Sequence, residues 1–193
     1  MAMGELPFAR ATPHSKRNSS QVPGEQKKRS LRMQDEVRFG IGYDIHRLVA
    51  DRRLVLGGID IDHPKGLVGH SDADVVLHAV TDALLGAAGL PDIGDMFPDT
   101  DPKYKDADSA VLLKTAIERI NERGFVPNNI DVIVHAEAPK LSPYKQRMRV
   151  SIAASTGLST DAVSVKAKTN EGMGPLGHAD AIAATAVASL VRR

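Results

Sequence analysis

From Val37 onward the chain alternates between stretches with a two-residue apolar period and stretches with a helical one, and glycine or proline marks most of the changes. Each such strand or helix has an apolar side to bury, so the alternation admits one principal arrangement, a sheet with helices packed on it. Val37 to Ile45 reads as a strand, and Arg53 to Ile61 as two short strands broken by Gly57-Gly58. His63-Pro64-Lys65-Gly66 reads as a turn leading to a helix from about Asp74 to Ala88, with Asp72 or Asp74 as its cap and Gly89 as its stop. Asp92 to Asp108 is an irregular acidic segment, too long for a plain connection and of the kind that carries function. A second amphipathic helix runs from Ser109 to Arg123, burying Leu112, Leu113, Ala116, Ile117 and Ile120. Asn129 to Ala138 is a strand, Ser142-Pro143 opens a third helix that Gly157 ends, and Val163 to Thr169 is a further strand. Ala179 to Val191, rich in Ala, is expected to be a closing amphipathic helix.

Composition narrows the chemistry. The 193 residues contain no cysteine, which excludes disulfides, thiolate metal sites and cysteine nucleophiles and leaves oxygen and imidazole as metal donors. No apolar run approaches the roughly 20 residues of a membrane span, and the amino terminus lacks the apolar core of a secretory signal, so a cytoplasmic setting is expected over a plastid-type organelle. Met1 to Gln34 holds seven Lys or Arg against Glu5 and Glu25, a net of +5, so the remainder of a chain with formal charge +1 carries −4. Residues 1–36, rich in Ser, Pro, Gln and Lys, are read as a disordered basic tail, and 37–193 as the one folded domain.

Two segments carry donor atoms. Asp44 and His46, two apart on a strand, project from one face, and His78 lies on the helix that follows Gly69-His70-Ser71-Asp72-Ala73-Asp74. Together they supply three ligands and leave a fourth tetrahedral position open, the count of a catalytic site. Asp82, one helical turn after His78, is placed to hold the far nitrogen of that imidazole. His70 offers a further imidazole, and with Ser71 it stands just before a helix start, where backbone N–H groups favour an anion. Taken as residue types, an Asp-x-His on a strand also reads as an ordinary solvated edge, and His70-Ser71 as a capping turn. Phe97-Pro98-Asp99-Thr100-Asp101 reads either as carboxylates for a Mg²⁺-bound diphosphate or as an acidic turn. Gly40-x-Gly42 lacks the third glycine of a dinucleotide loop and lies within the strand, so close packing of backbone beside the site is its better explanation.

The combination is more specific than its parts. Gly42-Tyr-Asp44-Ile-His46, Leu56-Gly-Gly58, Gly69-His-Ser-Asp-Ala-Asp-Val75 with His78, Thr81-Asp82-Ala-Leu-Leu-Gly86, Asp92-Ile-Gly94, Phe97-Pro-Asp-Thr-Asp101, Ala138-Pro139-Lys140-Leu141 and Val165-Lys-Ala-Lys-Thr169 closely resemble the 2-C-methyl-D-erythritol 2,4-cyclodiphosphate synthase family in order and interval. The resemblance runs from Val37 to the closing helix expected over Ala179 to Val191. It implies a ferredoxin-like α/β domain, a mixed sheet with helices on one face, assembled as a homotrimer with active sites between subunits. It also implies a lyase of the non-mevalonate isoprenoid pathway. Such an enzyme converts 4-diphosphocytidyl-2-C-methyl-D-erythritol 2-phosphate to the 2,4-cyclodiphosphate and CMP, with no nucleic acid or membrane as partner.

By that resemblance Asp44, His46 and His78 hold Zn²⁺ or a similar ion, and Mg²⁺ or Mn²⁺ accompanies the substrate diphosphate. Asp44, His46, His70, Ser71, Asp92, Gly94, Phe97 and Asp99 contact substrate, His70 and Thr169 are catalytic, and the neighbouring subunit's cytidine site uses Ala136, Pro139, Lys140, Leu141, Ala167, Thr169 and Glu171. Lys168-Thr169-Asn170 and Gly174-Pro-Leu-Gly-His178 depart from the family's usual Thr run and Gly-Phe-x-Gly-Arg pattern, so the isoprenoid-diphosphate channel tied to the latter is not carried over. Two other readings use the same donors: a metal-dependent phosphohydrolase with a metal-bound water, and a non-enzymatic binder of metal or isoprenoid diphosphate.

Overall fold

The computed structural model describes residues 36–193, and the tail expected over residues 1–36 falls, up to residue 35, outside them. The elements are β1 (Val37–Ala50), β2 (Leu54–Leu56), β3 (Ile59–Ile61), β4 (Lys65–Leu67), α1 (Val75–Ala88), α2 (Ile93–Met96), α3 (Ser109–Glu122), β5 (Phe125–His135), α4 (Lys145–Thr156), β6 (Val163–Lys168), α5 (Gly174–Gly177) and β7 (Ala181–Arg192). One sheet has the order β4-β1-β7-β5-β6, with β5 and β6 parallel and every other pair antiparallel, and β2 and β3 form a separate hairpin. The sheet is therefore mixed. Helices α1, α3 and α4 pack on one of its faces, α1 against β1 and β7, α3 against β5 and α4 against β6, as the expected fold class requires. No helix among the described residues is long and apolar enough to cross a membrane.

The packed face owes its geometry to small residues. On β1 the helix-facing positions include Gly40 and Gly42, and a Cβ at either would stand 2.0 Å from a carbonyl oxygen of α1, that of Ala83 or Ala79. A two-residue step on a strand advances about 6.6 Å and a four-residue step on a helix about 6 Å. Strand and helix therefore stay in step, Gly40 against Ala83 and Gly42 against Ala79. The matching positions of β7 are Ala188 and Ala186, buried beneath the same helix.

Asp74 locks the start of α1. Its fully buried carboxylate accepts from Val76 N and Leu77 N of the helix and from Gly57 N at 2.8 Å and Gly58 N at 2.6 Å across the hairpin. Burial pushes this carboxyl up, and the backbone N–H groups of Gly58, Gly57 and Leu77 oppose that shift. The same atoms tie the β2-β3 hairpin to the helix that carries His78.

Several expectations need correction. The Ala-rich close of the chain is strand β7, hydrogen-bonded to β1 on one side and β5 on the other. Alanine prefers helix by only a fraction of a kcal/mol per residue, and two full ladders outweigh it. Lys65 and Gly66, expected in a turn, instead pair together with Leu67 against Ala50 to Leu48 as an edge strand. The strand expected over Asn129–Ala138 begins earlier and stops at His135. Ser142 does not cap the third helix: Ser142 to Tyr144 form a turn, α4 starts at Lys145, and no side chain caps it.

Gly42→Ala is expected to lower unfolding stability by about 3 kcal/mol or more, since the added methyl meets backbone and not a movable side chain. Chemical denaturation checks this; an unchanged midpoint would refute the backbone contact.

Candidate metal centre

Register delivers the ligands. Two residues beyond Gly42 on the same face of β1 comes Asp44 and two further His46, while on α1 His78 is the residue just before Ala79, which stands against Gly42. The Asp44 Oδ2 lies 2.9 Å from His46 Nε2 and 2.9 Å from His78 Nδ1, and the two nitrogens are 3.3 Å apart. All three donor atoms fall within 4.8 Å of one another, and among the described residues no other group of three acidic or imidazole side chains does so. Three different donors crowded round one point, half-buried, suit a tetrahedral ion of the zinc type. Gly69 leaves room for the His46 ring, since a Cβ there would stand 3.3 Å from His46 Cε1.

The charges agree with that. Burial raises the cost of ionising Asp44, but hydrogen bonds from His46 and His78 and their charges outweigh it and hold the carboxyl well below the usual carboxylate range. Burial likewise disfavours the His46 imidazolium, but the Asp44 hydrogen bond and charge prevail and raise its pKa. Both shifts favour positive charge at this point.

The cluster lies at the foot of a cleft of about 630 Å³. Of the residues expected from the sequence, Asp44, His46, His70, Ser71, His78, Gly94, Phe97 and Asp99 line it. Asp92 instead caps α2, its Oδ1 accepting from Asp95 N at 2.9 Å. Asp82 is not the partner of His78: its Oδ1 accepts from Ile93 N at 2.8 Å, which anchors α2 at the cleft rim. Burial pushes the Asp82 carboxyl up, against the Ile93 hydrogen bond and with the charges of Asp92 and Asp44. The far nitrogen of His78 turns the other way, toward Ser109 at the start of α3.

Ala136, Pro139, Lys140, Leu141, Ala167, Thr169 and Glu171 do not line this cleft. They gather where β5 and β6 end, with Ala136 N donating to Lys168 O, Asn170 N to Glu137, and Thr169 Oγ1 to Glu171. Ala136 and Leu141 are themselves buried in the core. Residues the sequence did not flag also form the cleft wall. Tyr104 stacks edge-on against Phe97, centroids 5.3 Å apart, and Leu112 faces in from α3. A lone aromatic in an acidic loop gave no signal of this.

Fold and site thus define an α/β protein with an aspartate and two histidines arranged as a metal centre under a cleft. Residues 37–191 match the YgbB family. Among relatives, 2-C-methyl-D-erythritol 2,4-cyclodiphosphate synthase of Bordetella petrii is 59% identical over 155 residues, 80% of this chain and 96% of the relative, and the Dechloromonas aromatica protein of that name is 56% identical over 80% and 97%. Among solved structures, the Plasmodium falciparum IspF in a CDP complex superposes with TM-score 0.72 at 32% identity, covering 81% of this chain and 97% of that one. The bifunctional IspDF of Campylobacter jejuni superposes with TM-score 0.79 at 43% identity over 82% of this chain, which spans only 43% of that longer one. The chain belongs to the YgbB family.

A metal binds His46 only in competition with the proton. A pKa raised above the ordinary imidazole value of 6.5 means that the proton competes at a higher pH, so affinity for a divalent metal ion is expected to fall on acidification from above that value. Chelator competition across a pH series measures it; an affinity that stays flat until well below the ordinary imidazole range would contradict the coupling.

Proposed function

We propose that this chain is a 2-C-methyl-D-erythritol 2,4-cyclodiphosphate synthase, acting on 4-diphosphocytidyl-2-C-methyl-D-erythritol 2-phosphate and releasing CMP. The observation that carries the reading is the Asp44-His46-His78 cluster at the foot of a cleft whose wall holds His70, Ser71 and Asp99, in a chain of this family. An oxygen of the 2-phosphate attacks the β-phosphorus, and the bond from that phosphorus to the CMP oxygen breaks. Two unit charges about 4 Å apart repel by about 4 kcal/mol at an effective dielectric of 20, and these phosphates carry more, so neutralisation is the main task. Zinc or a similar ion at the triad, with Mg²⁺ or Mn²⁺ on the diphosphate, supplies positive charge that neutralises the phosphates and polarises phosphorus.

The side chains do the positioning. His70 lines the cleft with its Nε2 buried and without a hydrogen-bond partner, a donor or acceptor available to the substrate's phosphate or hydroxyl oxygens. Ser71 offers a hydroxyl beside it, while Gly94, Phe97 and Asp99, with Asp92 fixing the turn of α2, shape the erythritol end. No side-chain nucleophile is required, because the nucleophile belongs to the substrate. Thr169 and Glu171 are read as the phosphate contacts across the subunit boundary.

Assembly completes the site. Val37, Phe39, Ile41, Tyr43, Ile45 of β1 and Val187 of β7 form a row on the sheet face away from the helices, with Phe39 71% and Ile41 70% exposed. Apolar surface on that scale marks an interface. A homotrimer packed through it supports the reading that Ala136, Pro139, Lys140, Leu141, Ala167, Thr169 and Glu171 of a neighbour hold the cytidine. The Plasmodium falciparum relative is a CDP complex, which agrees with a cytidine diphosphate substrate.

Incubation of the protein with the cytidyl substrate, Zn²⁺ and Mg²⁺ is expected to yield CMP and a cyclic diphosphate in equal amounts. Linear phosphates or free inorganic phosphate would support a hydrolase instead. His70→Ala is expected to lower kcat by about 100-fold while zinc stays bound. Ile41→Asp is expected to break the trimer, seen by light scattering, and abolish turnover; a monomer that still turned over would refute the shared site.

A further inference from the structure

The nitrogen of His78 that faces Asp44 and His46 is Nδ1, so the ring serves a metal only when Nδ1 carries a lone pair and the proton sits on Nε2. Around Nε2 lie two hydroxyls, Ser109 Oγ at 2.9 Å and Ser71 Oγ at 3.1 Å. Ser109 is buried, and its Oγ lies 2.5 Å from Asp72 Oδ1. Asp72 also accepts from Ser109 N at 3.2 Å and from Asp74 N at 3.1 Å, so it faces three donors. A carboxylate only accepts, so the one hydroxyl proton of Ser109 is committed to Asp72 and its oxygen is left to accept from His78. Ser71 Oγ, which accepts from Ala73 N and lies 3.5 Å from Ser109 Oγ, has no carboxylate to take its proton and cannot make that choice.

We infer that Ser109, oriented by Asp72, is a positioning residue that fixes His78 as the Nε2–H tautomer and so presents Nδ1 to the metal. The inference rests on the reading of Asp44, His46 and His78 as the metal ligands. It replaces the helix neighbour Asp82 with a partner 31 residues away in sequence. It also links the metal to the loop that bears His70 and Ser71, because Asp72 N donates to Ala107 O and Asp106 N donates to His70 O on the approach to α3.

The test titrates zinc ions alone into the full-length protein under chelator competition. Ser109→Ala is expected to weaken zinc binding by about 10- to 100-fold, the usual effect of removing a hydrogen-bond partner of a metal-bound imidazole. Asp108→Ala is the control for mere damage to the same helix start, because Asp108 caps α3 through Ala110 N at 2.8 Å and touches neither Ser109 Oγ nor His78. It should keep wild-type affinity. In the zinc-loaded wild type, NMR should show a slowly exchanging Nε2 proton on His78 whose exchange Ser109→Ala speeds. Ser109→Ala binding within about twofold of wild type, or an equal loss in Asp108→Ala, overturns the inference. Failure of the wild type to take zinc at the triad would instead remove the metal reading, and the inference with it.

Discussion

The approach of α1 to β1, backbone on backbone, is the contact on which the rest depends. Gly40 and Gly42 are the positions where any side chain would strike a carbonyl of the helix. Because they remove that obstacle, helix and strand run in step, and the next position along the strand, Asp44, meets the side chain of His78 directly. A larger spacing would carry Nδ1 out of reach of the carboxylate. The glycines therefore set the geometry of the Asp44-His46-His78 cluster without touching it.

The carboxylates near the cleft divide into two kinds. Asp72, Asp74, Asp82, Asp92, Asp101 and Asp108 each accept from a backbone N–H, and in doing so they fix helix starts and loop turns. Asp44 gives one oxygen to Ile45 N and turns the other to the two histidines. The acidic segment Asp92–Asp108 is thus in part a scaffold. Three of its six aspartates, Asp92, Asp101 and Asp108, fix turns and helix starts, and Asp99 is the one that lines the cleft.

The strand-helix alternation and the ligand triad were legible in the sequence because both rest on local periodicity. Asp44 and His46 share a face by the two-residue repeat, and the cap Asp74 and stop Gly89 bound α1 as expected. What was not legible depended on distant partners. Ala184, Ala186 and Ala188 look helical alone, but they sit in a central strand whose small side chains admit α1. Lys65–Leu67 has no pattern of its own and is a strand only because β1 extends past Asp44 and His46 to pair with it. Asp82 was assigned to His78 from helical spacing, yet the far nitrogen points off the helix toward α3, which no spacing within one element could reveal. The residues proposed for cytidine rest on family resemblance, since their cluster lies outside the cleft and carries no signal in this chain alone.

Anomalous diffraction at the zinc edge from crystals grown with zinc is the most direct test of this account. It predicts one ion bonded to Asp44 Oδ2, His46 Nε2 and His78 Nδ1 at about 2.0 to 2.2 Å, facing the cleft. An ion bound through His78 Nε2, or a peak away from this triad, would contradict it.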